Sequence, residues 1–115
     1  ETCQVFAKDY SSSEFFHGPL ALVERGFPIL HFLMNDESHK VSLETNERLI
    51  DLGANVYTVD SKAFDDKTLI VPTSSPLIQP LIQTTVMYSI IEQISVKKGL
   101  NPDEPPFLSK ITKTV

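Results

Sequence analysis

Apolar and polar positions follow two rhythms along this chain, and each predicts an element. Within "FPILHFLM" the residues from Ile29 to Met34 are apolar apart from His31, the run expected of a strand covered on both faces, as in a parallel sheet. After the polar loop "NDESHKV" comes "SLETNERLIDLG", where spacing predicts a helix. Ser42 is its expected N-cap, Glu44 lies in its first turn, Leu43, Leu49, Ile50 and Leu52 form its apolar stripe, and Gly53 ends it. "NVYTVD" reads as a second strand, with Val56 and Thr58 on one face and Tyr57 and Val59 on the other; "TLIVP" is a short third. A proline-punctuated turn, "TSSPLIQP", then leads into the longest helix, expected from Leu81 to about Lys98. Ile82, Val86, Ile90 and Ile94 recur there every four residues, with Met87 and Ile91 alongside and Gly99 as terminator.

The two ends are less regular. "ETCQVFAKDY" opens without a Met or a capping residue, and Val5 and Phe6 follow as if a helix were already running. Glu1 is therefore expected inside a helix whose start lies elsewhere, in the C-terminal part of a longer protein. In "GPLALVERG", Pro19 suits a first helical position and Gly26 a stop. The tail "LNPDEPPFLSKITKTV" has prolines at 102, 105 and 106 and cannot form a regular helix or central strand before Leu108. Strand, helix, strand, strand, helix is an α/β order, and its short connections imply a parallel sheet flanked by helices. Three strands make a thin sheet, so further strands are expected ahead of Glu1.

Composition narrows the function. The 115 residues fit one domain, and 41% hydrophobic with 22% charged residues is ordinary for a globule with a real core. A net charge of −5 without a Lys/Arg cluster argues against nucleic acid or an anionic membrane surface as partner. No apolar run approaches the roughly 20 residues a bilayer needs. The first residues lack the basic, apolar and small-residue series of a secretory leader. The one cysteine, Cys3, has no internal partner, which suits a reducing cytoplasm.

The chemistry concentrates in "SSSEFFHGP", residues 11–19, where three hydroxyls, a carboxylate and an imidazole fall close together. The spacing of Glu1 from "HGP" at His17, with the tail "NPDEPPFLSKITKTV", resembles the second sugar-isomerase (SIS) domain of the glutamine–fructose-6-phosphate transaminase isomerase-domain family. That family includes aminosugar-phosphate deaminases and fructosamine-phosphate deglycases, and the likeness covers essentially the whole chain. It implies a Rossmann-like three-layer fold, with residues 1–98 as a second SIS domain lacking its N-terminal strand and helix start. Residues 99–115 would be a tail closing over the active site. It also implies that this is the C-terminal half of a double-SIS protein.

Carried over by position, the resemblance gives Glu1 the carboxylate that moves a proton between sugar C1 and C2. His17 takes the imidazole that assists ring opening and is donated by a neighbouring subunit. Lys110 takes the tail lysine at the open-chain carbonyl, and Ser109 a position whose backbone lines the sugar. The residue types fit the chemistry. A carboxylate can take and return a proton on one face of the sugar if burial raises its pKa, imidazole titrates near neutrality, and an ammonium stabilises an enediolate. The implied function is a phosphosugar isomerase or aminosugar-6-phosphate deaminase. The alternatives are the isomerase domain of an aminotransferase, a deglycase, or a non-catalytic sugar-phosphate sensor. No cofactor or metal is expected, because side chains alone carry the proton. The expected partners are a sugar phosphate and at least one further copy of the chain, since the separation of sixteen positions from Glu1 to His17 hinders one subunit from aiming both at one sugar. Pro106 and Phe107 stand where the family often has Arg-Asn. The hydroxyl-rich phosphate loop belongs to the first SIS domain, and "PTSSP" at 72–76 is not expected to replace it, because Pro80 sits at the start of the helix that follows.

Simpler roles are expected elsewhere. Glu14 bonds backbone N–H groups, His31 is a core histidine with one satisfied nitrogen, His39 is a solvated loop residue and Cys3 is a small buried apolar group. No metal-ligand spacing appears.

Overall fold

The computed structural model describes residues 2–106. They contain helix α1 (Ser12–Phe16), a 3-10 turn (Pro19–Leu22), strand β1 (Pro28–Phe32), helix α2 (His39–Asp51), strands β2 (Asn55–Asp60) and β3 (Thr68–Ile70), and helix α3 (Gln79–Lys97). The strands form one parallel sheet in the order β1-β2-β3, with His31 opposite Thr58 and Asp60 opposite Ile70. A parallel sheet with α2 in the connection from β1 to β2 and α3 after β3 is the α/β class expected from the element order.

The described residues divide into two compact units, one of residues 9–84 and the other of residues 2–8 with 85–106. Within the first, Leu49 of α2, Ala54 and Val56 make a buried cluster, and Phe15, Phe16, Leu20, Val23 and Ile29 pack against it. Val59, Leu33 and Val71 are also buried. β1 is only half-buried, and Ile70 of β3 is exposed, so the sheet is covered less completely than the apolar run at Ile29–Met34 implies.

Among the described residues of the second unit the expected opening helix is absent. Gln4 has φ +49°, a left-handed conformation that interrupts any helix, and the segment up to Tyr10 is irregular with Phe6 exposed. Tertiary contacts hold it instead. Cys3 Sγ donates to the Ile91 carbonyl at 3.0 Å, Ser95 Oγ donates to the Thr2 carbonyl at 2.9 Å, and Lys98 Nζ donates to the Cys3 carbonyl at 2.7 Å. Cys3 is buried, as its chemistry suggested.

Two further boundaries move. α2 begins at His39 rather than after Ser42, because Asp36 Oδ1 accepts the N–H and hydroxyl of Ser38 and turns the chain into a helix a full turn earlier. The helix expected from Pro19 is a single 3-10 turn, and Gly26, with φ +84°, serves the turn into β1. Gly53 does end α2: its φ is +92°, and its carbonyl accepts the Gly26 N–H at 2.7 Å.

Candidate functional site

The segment 11–19 is a structured corner. Ser11 caps α1: its backbone N–H donates to Glu14 Oε2 at 3.0 Å, its hydroxyl donates to the same oxygen at 2.7 Å, and the Glu14 N–H returns to Ser11 Oγ at 3.3 Å. This reciprocal capping box explains a five-residue helix that could not nucleate alone. It also gives Glu14 the structural role expected of it. Phe15 and Phe16 then anchor the corner on the core, and Arg48 of α2 lies 4.5 Å from the Phe16 ring centre.

Beyond these anchors His17 is the C-cap residue of α1, its N–H bonded to the Glu14 carbonyl at 3.1 Å and its side chain exposed. It lines a shallow hollow of about 450 Å³, floored by Phe16, Leu20, Ala21, Val23 and Leu52. A capped helix end with two aromatic anchors thus holds one imidazole at the edge of an apolar depression. Glu1, Ser109 and Lys110 lie outside the described residues, so of the four expected site residues only His17 has a described position.

Two polar pairings escaped sequence reasoning. His39 is no solvated loop residue: it opens α2, and its Nε2 lies 2.7 Å from Asp60 Oδ2 at the end of β2. Asp60 is almost wholly buried and also takes the Ser61 N–H. Deeper along α2, Asn46 bridges the sheet. Its Nδ2 donates to Thr58 Oγ1 at 2.7 Å, which leaves Oδ1 to accept from His31 Nδ1 at 2.5 Å. His31 therefore has one satisfied nitrogen, as expected, but it is half-buried rather than a core residue. Asn46, on the inward side of an amphipathic helix, was the one local signal for this bridge.

Around the carboxyl ends of the strands, Gln83 Nε2 donates to the Leu33 carbonyl at 2.6 Å and Asn35 Nδ2 to the Ser74 carbonyl at 3.5 Å. Among the described residues no three His, Cys, Asp or Glu side chains gather as metal ligands, and no helix is long and apolar enough to cross a membrane.

No family model matches the chain. A glutamine–fructose-6-phosphate aminotransferase of Methanothermobacter thermautotrophicus is 30% identical over 117 residues, covering 96% of this chain and 20% of the relative. The chain therefore spans about one fifth of that curated relative. Among solved structures, the C-terminal domain of a glucosamine-fructose-6-phosphate aminotransferase from Francisella tularensis shares the fold, with TM-score 0.77 and 24% identity over 88% of this chain and 30% of that one. A glucosamine-6-phosphate deaminase from Thermotoga maritima gives TM-score 0.72 and 26% identity over 95% of this chain and 33% of its own.

Proposed function

This chain is a sugar-isomerase domain homologous to part of the glutamine–fructose-6-phosphate aminotransferases, and from that premise we propose that it contributes to an enzyme moving a proton between C1 and C2 of a 6-phosphorylated hexose or hexosamine. The reaction is isomerisation of the sugar phosphate or release of ammonia from an aminosugar 6-phosphate. In this reading Glu1 is the base that carries the proton, His17 returns a proton to the ring oxygen as the sugar opens, and Lys110 neutralises the developing enediolate, with Ser109 beside it along the sugar. The working enzyme is at least a dimer, each subunit lending His17 to its neighbour, and it acts in the cytoplasm.

The observation that carries the reading is the placement of His17. A catalytic imidazole must be reachable by substrate yet held still, and this one is exposed while its backbone is fixed by the capping box and by Phe15 and Phe16. A loop imidazole with no task has no need of such anchoring. The aminotransferase relative favours one branch in particular, in which the chain is the isomerase portion of a longer synthase.

The test is incubation of the full-length protein with glucosamine 6-phosphate, following ammonia, ketose and exchange of the C2 proton with solvent. Exchange that is lost in Glu1→Gln and slowed in His17→Gln supports the proposal. Sugar-phosphate binding without any exchange would instead identify a sensor.

A further inference from the structure

We propose that the loop 72–76 and the first turn of α3 form a second binding site, for an oxyanion of the phosphate class, built from residues other than those around His17. The starting point is Gln79. Its side chain is fully buried, its Oε1 accepts the Ser74 hydroxyl at 2.8 Å, and its Nε2 has no hydrogen-bond partner among the described residues. An interior N–H without an acceptor is costly and rare, and it points to something that supplies one. The carboxamide oxygen meets Ser74, which places the amide beside the loop.

The surroundings are those of an acceptor ligand. β3 ends at Ile70, Val71 still donates to the Asp60 carbonyl at 2.8 Å, and the chain then makes the Thr73-Ser74-Ser75 loop before α3. This is a strand, a hydroxyl-bearing turn and the positive end of a 19-residue helix. It lies past the carboxyl ends of parallel strands, where open α/β sheets bind their ligands. Asn35, just beyond β1, reaches the same loop through its amide and has a second N–H to offer. Pro76 and Pro80 remove two backbone donors from the helix start, the reason the loop looks unsuited when read as sequence. Side chains supply what the backbone lacks: the hydroxyls of Thr73 and Ser75 and the buried amide, the Ser74 hydroxyl being given to Gln79. The carboxylates nearest in sequence to these strand ends already accept hydrogen bonds within the fold, Asp36 from Ser38 and Asp60 from His39 and Ser61.

The inference concerns residues 9–84 alone and does not depend on the sugar chemistry proposed for His17. It is tested on the full-length protein, labelled with 15N, by titrating inorganic phosphate at constant ionic strength with chloride as the control. The probes are the Gln79 side-chain amide and the backbone amides of Ser74 and Ser75. Saturable shifts with phosphate alone are expected. Apparent affinity should fall about tenfold in Gln79→Glu, which keeps the shape but replaces the donor with an acceptor, in keeping with loss of one bond to a charged group. Because Gln79 is buried, the exposed pair Thr73→Val and Ser75→Ala provides a second variant that leaves the core intact, and it too should bind more weakly. Shifts equal to those in chloride, or equal in Gln79→Glu and the parent protein, would overturn the site. So would a Gln79→Leu protein that melts higher than the parent while phosphate moves neither melting temperature.

Discussion

His39 Nε2 stands 2.7 Å from Asp60 Oδ2, joining the first turn of α2 to the last residue of β2 across twenty-one positions of sequence. The carboxylate is 2% exposed and the imidazole 17%, so the pair is largely withdrawn from water. Removing one member of such a pair strands the other. Asp60→Ala, which also leaves the Ser61 N–H without its acceptor, is expected to cost about 3 kcal/mol. Asp60→Asn retains a carbonyl acceptor and should cost about 1 kcal/mol. Urea denaturation of both variants measures the difference; equal losses would show that the carboxylate charge, and not merely an acceptor oxygen, holds the pair.

Asn46 makes the second tie between α2 and the sheet. Its side chain is fully buried, and it serves His31 and Thr58 at once. Asn46→Ala leaves two polar groups unpaired and opens space beside them, for an expected loss of about 3 kcal/mol. The double variant Asn46→Leu with Thr58→Val replaces the Asn46–Thr58 contact with apolar groups and should recover part of it. Additive losses in that double variant would contradict the bridge.

Ser11 acts on His17 through α1. Ser11→Ala removes the hydroxyl from the capping box, a change worth about 1 kcal/mol. Because α1 is only five residues long, that loss should appear as faster amide exchange at Phe15 and His17 and little change in overall melting. If His17 carries the ring-opening step, turnover of glucosamine 6-phosphate should fall several-fold with KM nearly unchanged, and Ser11→Thr should restore it.

Gly53 and Gly26 provide an internal comparison. Both have positive φ, but a Cβ at Gly53 would lie 3.4 Å from the Arg25 Cα, while one at Gly26 meets nothing within 4 Å. Alanine at Gly26 is expected to cost about 1 kcal/mol through backbone conformation alone. Alanine at Gly53 should cost about as much, because its Cβ would sit at an ordinary contact distance from Arg25 and the penalty is again one of backbone conformation. Thermal denaturation of the two variants compares them.

The Asp36 carboxyl is held below its ordinary pKa. The Ser38 hydroxyl, then its N–H, and lastly the charge of His39 hold the carboxyl below its ordinary 3.8. A carboxylate whose folded pKa is depressed stabilises the fold above its unfolded value, and that support fades as pH falls through the folded one. Ser38→Ala should raise the Asp36 midpoint toward 3.8, read from its carboxyl carbon resonance. A midpoint unchanged in Ser38→Ala would show that Ser38 does not set it.

What could be read from the chain beforehand follows a physical line. β2 was legible residue for residue, because Val56 and Thr58 alternate with Tyr57 along a period set by the pleat. α3 and the turn at Gly53 were legible too, the first from a four-residue stripe, the second from the one residue type that takes positive φ freely. These are local properties, decided by backbone sterics and neighbours a few positions away.

The rest was decided at long range. Nothing near Cys3 announces that Ile91, Ser95 and Lys98 will hold its segment out of a helix. His39 looks solvated until Asp60 arrives, and Gln79 looks like one more polar turn residue until the loop of Ser74 closes over it. A polar side chain's role depends on which partner the folded chain delivers to it, and in this protein those partners come from other elements of the fold. Sequence therefore settled which segments coil or extend, while only the tertiary arrangement settled which polar groups are spent on structure and which remain for a ligand.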